Sequence, residues 1–287
     1  MKKILILLLL VPSLGLCGEI TLKNDKGNIG HGIKTSPKSG FEMHTNFMGK
    51  HEYSFQYLKD ELKARAGKYY QRFEVRDGDC FGNDGWDDCT TDRERVELTA
   101  EPFHSPISKK CYGYSIMFSD EFVDATPTYT DLGQVHQIGG PSGEAGGFTS
   151  FPPLIQVGAH HGNLYFGWHE LSGSISDVID KRRDFKLKSL DQMKGVWTDI
   201  SFCLDFENKR IDAWIDGKKK VEILKSPINF KPKKIFFKHG IYRSFISQFK
   251  NYHDKMPTQI VYYDEVRSGN SVKKVDANIN PKLKAVD

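Results

Sequence analysis

Residues 210–224 read RIDAWIDGKKKVEIL. Ile211, Ala213 and Ile215 alternate with Asp212 and Trp214, the period of a strand with one buried face. Asp216-Gly217 then supplies a two-residue turn suited to antiparallel strands, and a second strand follows over residues 220–224. The same period recurs outward in both directions. In residues 196–204, Val196, Ile200, Phe202 and Leu204 share a face with Thr198; in residues 93–98, Glu94, Val96 and Leu98 oppose Arg93, Arg95 and Glu97. Residues 112–118, 164–168, 234–242 and 259–267 read as further strands. One stretch, residues 52–66, has Phe55, Leu58 and Leu62 at helical spacing and is expected to be a helix. Many strands and one or two short helices predict an all-β fold, a concanavalin-like β-sandwich of jelly-roll type.

The chain has 287 residues, of which 38% are hydrophobic and 27% charged. That composition excludes a polytopic membrane protein and a disordered chain. The formal net charge is +4, but its position matters more than its size. Lys2 and Lys3 lie in a leader, and the tail after Val272 carries four lysines against two aspartates, so these two segments hold the whole surplus. The body between them is balanced, which argues against nucleic-acid binding and requires local groups to meet any anionic ligand.

Residues 1–18 read as a signal peptide: two lysines, an apolar run from Ile4 to Val11, then Pro12 and small residues. The run is shorter than the ~20 residues that span a bilayer. Leu16 before Cys17 disfavours a lipid anchor there, since lipoprotein signals usually have a small residue at that point. Export to a periplasm or the exterior is expected, with one domain over residues 19–272 and a basic tail over 273–287. Beyond the leader, Cys80, Cys89, Cys111 and Cys203 form an even set, which permits bridges in an exported protein. Cys80 and Cys89 bracket DCFGNDGWDDC, whose glycines let the loop fold back, and a bridge between them is expected. For Cys111 and Cys203 two buried thiols and a second bridge are equally compatible with the sequence.

Three segments depart from a plain core pattern. Residues 93–98 place two guanidiniums and a carboxylate on one strand face; ordinary surface ion pairs would explain this, as would a guanidinium held by Glu97 and aimed at an anion. Gln134 and His136 project together from one strand, where an amide and an imidazole can hydrogen-bond a carboxylate and accept a proton. Lys238, Gly240 and Tyr242 share a face, and a glycine within a strand marks close approach by a ligand or by another backbone. Read with its neighbours, this third segment looks like a ligand floor. The acidic loop with Asp77, Asp79, Asp84, Asp87 and Asp88 lacks EF-hand spacing and reads as a solvated loop, with calcium left open, and His169 has no partner at zinc-ligand spacing, so no zinc site is expected. His160 to Asn163 reads as a turn. Trp168, Trp197 and Trp214 suit framework packing as well as sugar stacking.

The three segments, R-x-E-L at Arg95, Q-x-H at Gln134 and F-K-x-G-x-Y at Phe237, stand in the order of the three signatures of jelly-roll polysaccharide lyases, and the chain resembles that superfamily from about residue 71 to about residue 269. Pro152-Pro153-Leu154, Gly195-Val196-Trp197, residues 213–217, Tyr263-Asp264-Glu265-Val266 and residues 238–244 are similar to the heparin-lyase and glucuronan-lyase branch, which is related to the alginate lyases. Ser244 stands where the alginate branch often has an amide, and Gln137-Ile138 replaces the residues that often follow its histidine.

The resemblance implies a secreted enzyme that cleaves an anionic, uronate-containing polysaccharide by β-elimination, as a monomer and without a required cofactor; a structural calcium is compatible with it. It assigns Arg95, Gln134 and Lys238 to the substrate carboxylate and makes His136 and Tyr242 the catalytic pair. Which of the two is the base depends on whether the C5 proton and O4 lie on one face of the sugar; as a base Tyr242 would need nearby cations, and Lys238 and Arg243 are the local candidates. The competing reading is a non-catalytic carbohydrate-binding jelly roll, since fold alone does not fix function. A glycoside hydrolase would need two carboxylates flanking the bond, and no suitable pair is evident.

Overall fold

The computed structural model describes residues 42–47, 51–61, 63–83, 86–101, 108–138, 152–174, 177–224 and 234–286. The leader with Cys17, and Leu62 and Asp84, lie outside them. The described strands are β1 (Glu42–Phe47), β2 (Phe55–Lys59), β3 (Tyr69–Val75), β4 (Gly82–Asn83), β5 (Trp86–Asp87), β6 (Arg93–Glu101), β7 (Lys109–Phe118) and β8 (Tyr129–Ile138). They continue as β9 (Ile155–His160), β10 (Asn163–Ser174), β11 (Asp177–Ser189), β12 (Thr198–Asp205), β13 (Arg210–Ile215), β14 (Lys218–Ile223), β15 (Lys234–Ser244) and β16 (Gln259–Gly269). Fourteen of them form two seven-stranded antiparallel sheets, ordered β1-β6-β15-β8-β9-β10-β11 and β14-β13-β12-β7-β16-β3-β2. Strands distant in sequence are neighbours in both sheets, and the two inner faces enclose one core: this is a β-sandwich of jelly-roll type.

Alternation decides which side chains enter that core. From the first sheet come Val96 and Leu98 on β6, Val135 on β8, Ile155 and Val157 on β9, and Phe166 and Trp168 on β10. From the second come Phe73, Tyr114, Phe202, Ile211 and Tyr263. The Asp216-Gly217 hairpin forms as expected, both residues having positive φ and joining β13 to β14. His161 and Gly162 likewise turn the chain between β9 and β10.

The helix expected over residues 52–66 is not there. Residues 55–59 are the edge strand β2, with Phe55 opposite Phe73 and Tyr57 opposite Gln71 on β3. Phe55 is fully buried with its ring edge-on to Phe73 at 5.0 Å, and the Tyr57 and Tyr69 rings stack across the strand pair. An anchor at Phe55 suits either period, and pairing with a ready-made sheet edge outweighs helix propensity. The α-helix found among the described residues is α1 (Ser247–Lys250), one turn long.

The expected Cys80–Cys89 bridge is present, and the alternatives left open for Cys111 and Cys203, opposite each other on β7 and β12, resolve to a second disulfide. The tail is docked on the sandwich: Val275 and Val286 are buried, and Ser201 donates its hydroxyl to Asp276 at 2.6 Å. Gly113 on β7 makes this docking possible, because a Cβ there would lie 2.2 Å from the Val275 carbonyl oxygen. No helix among the described residues is long and apolar enough to cross a membrane.

Candidate active site

Five residues singled out by sequence come together on the outer face of the first sheet. Arg95 lies on β6, Gln134 and His136 on β8, Lys238 and Tyr242 on β15, and these three strands are adjacent. The register sets Tyr242 opposite both Arg95 and Asp131, Lys238 opposite Gln134, and Phe236 opposite His136. Gln134 and Lys238 therefore sit between Tyr242 and His136 along the strands.

Glu97 is the hub. Its side chain is buried and accepts from Lys238 Nζ at 2.5 Å, Gln134 Nε2 at 2.5 Å and Arg95 Nη1 at 3.3 Å. Burial tends to raise its carboxyl pKa, but Lys238 and Arg95 outweigh that and hold it below the usual carboxylate range. Burial pulls the Lys238 ammonium down against the Glu97 charge. Arg95 is 5% exposed, and Asp88 grips it in two-pronged fashion, accepting Nε at 2.6 Å and Nη2 at 2.5 Å. Two carboxylates thus neutralise two cations in a site that water hardly enters, the condition under which buried charge is tolerated.

Tyr242 meets two guanidiniums, one at its ring and one at its oxygen. The Arg95 guanidinium carbon stands 4.1 Å from its ring centroid, and Arg93 Nε donates to its oxygen at 2.7 Å. Burial pushes the phenol pKa up to about 12, while Arg95 and Arg93 pull the other way. At neutral pH it is a phenol, a proton donor. His136 stays partly exposed and stacks on Phe236; its Nδ1 accepts the Gln137 backbone N–H at 3.0 Å. Desolvation and then Lys238 push its pKa down to about 4, so the ring is neutral at pH 7.

Two expectations about this segment need correction. Gly240 does not open a floor for a ligand: its φ is 134°, and a Cβ there would lie 2.2 Å from the Val96 carbonyl oxygen and 2.9 Å from Glu97 Cα. It lets β15 pack tightly against β6 where the pairing of β15 with β8 bulges between His239 and Tyr242, which is the other meaning of a strand glycine. Tyr263 from the opposite sheet fixes this bulge, its hydroxyl lying 2.7 Å from the carbonyl oxygens of both Gly240 and Leu132. Arg243, a neighbour of Tyr242 in sequence, is not one of its cations. It points inward, fully buried, and pairs with Glu94. The apolar face of residues 93–98 therefore contains a buried ion pair at its first position.

Asp88 was legible only as one acid among five in a loop; its place beside Cys89, at the end of the closed loop, is the signal that ties it to β6. A second polar chain on the same sheet face was not foreseen. Gln156 on β9 donates to Asp131, His169 on β10 hydrogen-bonds Gln156 at 2.7 Å and Asp180 at 2.8 Å, and Arg182 donates to Gln156 at 2.9 Å. His169 pairs with residues from neighbouring strands, which sequence spacing does not show. The acidic loop's other carboxylates bind protein groups: Asp77 takes Lys250 and the Met256 N–H, and Asp79 takes Tyr53. Among the described residues no three His, Cys, Asp or Glu side chains converge as a metal site. Trp168 is in the core; Trp214 packs beside the Cys111–Cys203 bridge, and Trp197 donates to the Lys63 carbonyl, so all three belong to the framework.

A polysaccharide lyase family model matches residues 35–267. Among solved structures, an endo-β-1,4-glucuronan lyase from the fungus Trichoderma reesei superposes with a TM-score of 0.56 at 16% identity, covering 86% of this chain and 95% of that one. A family 7 alginate lyase in complex with product gives 0.52 at 10% identity, covering 88% and 94%. These likenesses are of fold. A search of curated proteins finds no match to the sequence.

Proposed function

The chain belongs to the polysaccharide lyase family, and on that premise we propose that it is an exported enzyme cleaving a uronate-containing polysaccharide by β-elimination. The observation that carries this reading is the gathering of Arg95, Gln134 and Lys238 around one buried carboxylate, flanked along the strands by Tyr242 and His136. Two cysteine bridges, and a leader with the pattern of a signal peptide, support export.

The chemistry needs three things of these residues. The C5 proton is next to a carboxylate and is weakly acidic, so the negative charge that builds on the carboxylate oxygens must be met by fixed donors. Arg95, Gln134 and Lys238 are donors only, or present an N–H₂, and Glu97 and Asp88 hold them in place. A base then takes the C5 proton, the C4–O4 bond breaks as the C4–C5 double bond forms, and an acid delivers a proton to O4. No water is consumed.

Tyr242 is the acid. Its oxygen accepts the Arg93 N–H, which leaves its own O–H to point elsewhere, and the phenolate formed on donation is stabilised by Arg93 and Arg95. The base follows from the sugar. Where C5–H and O4 share a face, Tyr242 serves both roles: the small deprotonated fraction, favoured by Arg93 and Arg95, takes the C5 proton and returns it to O4, and His136, with Nδ1 receiving the Gln137 N–H, presents Nε2–H to the carboxylate. Where they lie on opposite faces, His136 takes the C5 proton at Nε2, its Nδ1–H turned to the Gln137 carbonyl at 3.3 Å.

Incubating the protein with a panel of uronate polymers and following ultraviolet absorbance tests the reading. The unsaturated product absorbs and a hydrolysis product does not. Reducing ends appearing without absorbance would indicate a hydrolase, and binding without cleavage would indicate a carbohydrate-binding protein.

A further inference from the structure

Arg95 is held from outside its own strand. Asp88 is fully buried and spans two guanidinium nitrogens, a planar fit that one carboxylate makes with one arginine. The backbone around it is equally constrained. Asp88 N–H donates to Phe81, the Asp88 carbonyl accepts from Arg93 and Thr91, and Arg95 N–H donates to the carbonyl of Asp79. The residue after Asp88 is Cys89 and the residue after Asp79 is Cys80, so the disulfide ties together the two loop ends that touch β6.

The two disulfides differ in access. Cys89 is exposed and Cys80 half-buried, whereas Cys111 and Cys203 are buried in the sandwich. Thiol exchange requires that the attacking thiolate reach a sulfur, so a reductant meets the loop bridge first.

We propose that Asp88 is a positioning residue that fixes Arg95 beneath the Tyr242 ring, and that the Cys80–Cys89 disulfide, by closing the loop that carries Asp88, makes the site sensitive to thiol reductants. The effect on catalysis rests on the lyase reading above. In the redox step a dithiol attacks Cys89 Sγ as thiolate and displaces the Cys80 thiolate; its second thiol then resolves the mixed disulfide. The protein bridge gains two electrons and two protons, and the dithiol becomes its cyclic disulfide. The loop ends then keep their backbone hydrogen bonds but lose the covalent tie, and Asp88 can leave the guanidinium.

The experiment uses the full chain, oxidised or treated with dithiothreitol under native conditions, together with Asp88→Asn and Asp88→Glu. Two quantities are read: kcat and KM on the best uronate polymer, and modification of Arg95 by phenylglyoxal, located by peptide mass spectrometry. Alkylation mapping should show the loop bridge open and Cys111–Cys203 intact. On opening, kcat should fall about 10–100-fold, the scale of a misplaced catalytic group, with a smaller change in KM, and Arg95 should become reactive. Asp88→Asn should do the same without reductant, and Asp88→Glu should recover part of kcat. A folded Asp88→Asn protein with wild-type kcat and an unreactive Arg95 overturns the positioning role, and an opened bridge that leaves both quantities unchanged overturns the redox dependence. Should Asp88→Asn fail to fold, the reduced wild type decides through the same two readouts. A wild type inactive on every polymer sinks the lyase reading alone, because Arg95 reactivity still reports on Asp88.

Discussion

Arg93 donates its Nε–H to the phenol oxygen of Tyr242 at 2.7 Å, across the β6–β15 pair. A hydroxyl that receives a cationic donor has its own proton directed elsewhere and becomes a better leaving site for it. With Arg95 against the ring at 4.1 Å, two guanidiniums oppose the effect of burial on this group.

Tyr242→Phe removes one oxygen and little volume, so the sheet should remain intact. Turnover should fall about 10²-fold or more, the usual scale for a missing acid or base, while the polymer still binds. Circular dichroism checks the fold and product absorbance the rate. An unchanged rate in this variant would falsify the role of Tyr242 as the acid.

Arg95→Lys keeps a charge and loses the planar fork. A lysine ammonium can neither span both oxygens of Asp88 nor lie flat against Tyr242. A severe loss of turnover is expected, read from initial rates, with a melting temperature lowered but still cooperative. Near-normal kcat/KM with the fold retained would make Arg95 an ordinary buried ion-pair residue.

Much of this site was legible because strand alternation is a strong rule. Once residues 93–98, 134–136 and 237–242 read as strands, Arg95, Glu97, Gln134, His136, Lys238 and Tyr242 had to project outward, and their motifs stand in the order of the family's signatures. What the sequence hid depends on contacts between strands. The bulge at Gly240 is set by the approach of the β6 backbone and by Tyr263 from the opposite sheet, so the glycine's meaning could be read two ways. Arg243 looked like a cation for Tyr242 because they are adjacent in sequence, but adjacency in a strand puts them on opposite faces. The helix expected at residues 52–66 failed because Phe55 fits two periods and the β3 edge selects one. Asp88 needed the closed loop to reach Arg95.

Glu97→Gln tests the hub. The substitution keeps the shape and removes one of the two carboxylates that neutralise Arg95 and Lys238. Breaking one partner of a buried charge group typically costs about 3–5 kcal/mol, and a large downward shift in the urea midpoint is expected. Adding Lys238→Gln removes the uncompensated cation, so the double variant should be less unstable than the sum of the two single losses. Strict additivity would show that these groups do not act as a unit.

His239 gives the pH prediction. It is fully buried, with Nε2 2.6 Å from the Gln71 side-chain oxygen and its ring packed among Phe73, Phe237 and Tyr263. Burial drives its pKa down to about 3. Below its ordinary value near 6.5 the unfolded chain binds a proton at this position that the native protein refuses, so this contribution to stability falls as pH falls from about 6.5 towards 3. Buried acids such as Asp264, raised to about 7, act with the opposite sign, so the wild-type pH profile alone does not isolate the histidine. The comparison with His239→Gln does, since glutamine retains a donor for Gln71 and does not titrate. At pH 7.5 the wild type should be the more stable of the two through its ring packing. As pH is lowered past 6.5, that advantage should shrink by about 1.4 kcal/mol per pH unit, and the two urea midpoints should converge or cross by pH 4.5. A gap between the midpoints that stays constant from pH 7.5 to 4.5 would mean that His239 takes up a proton as readily in the folded protein as in the unfolded chain.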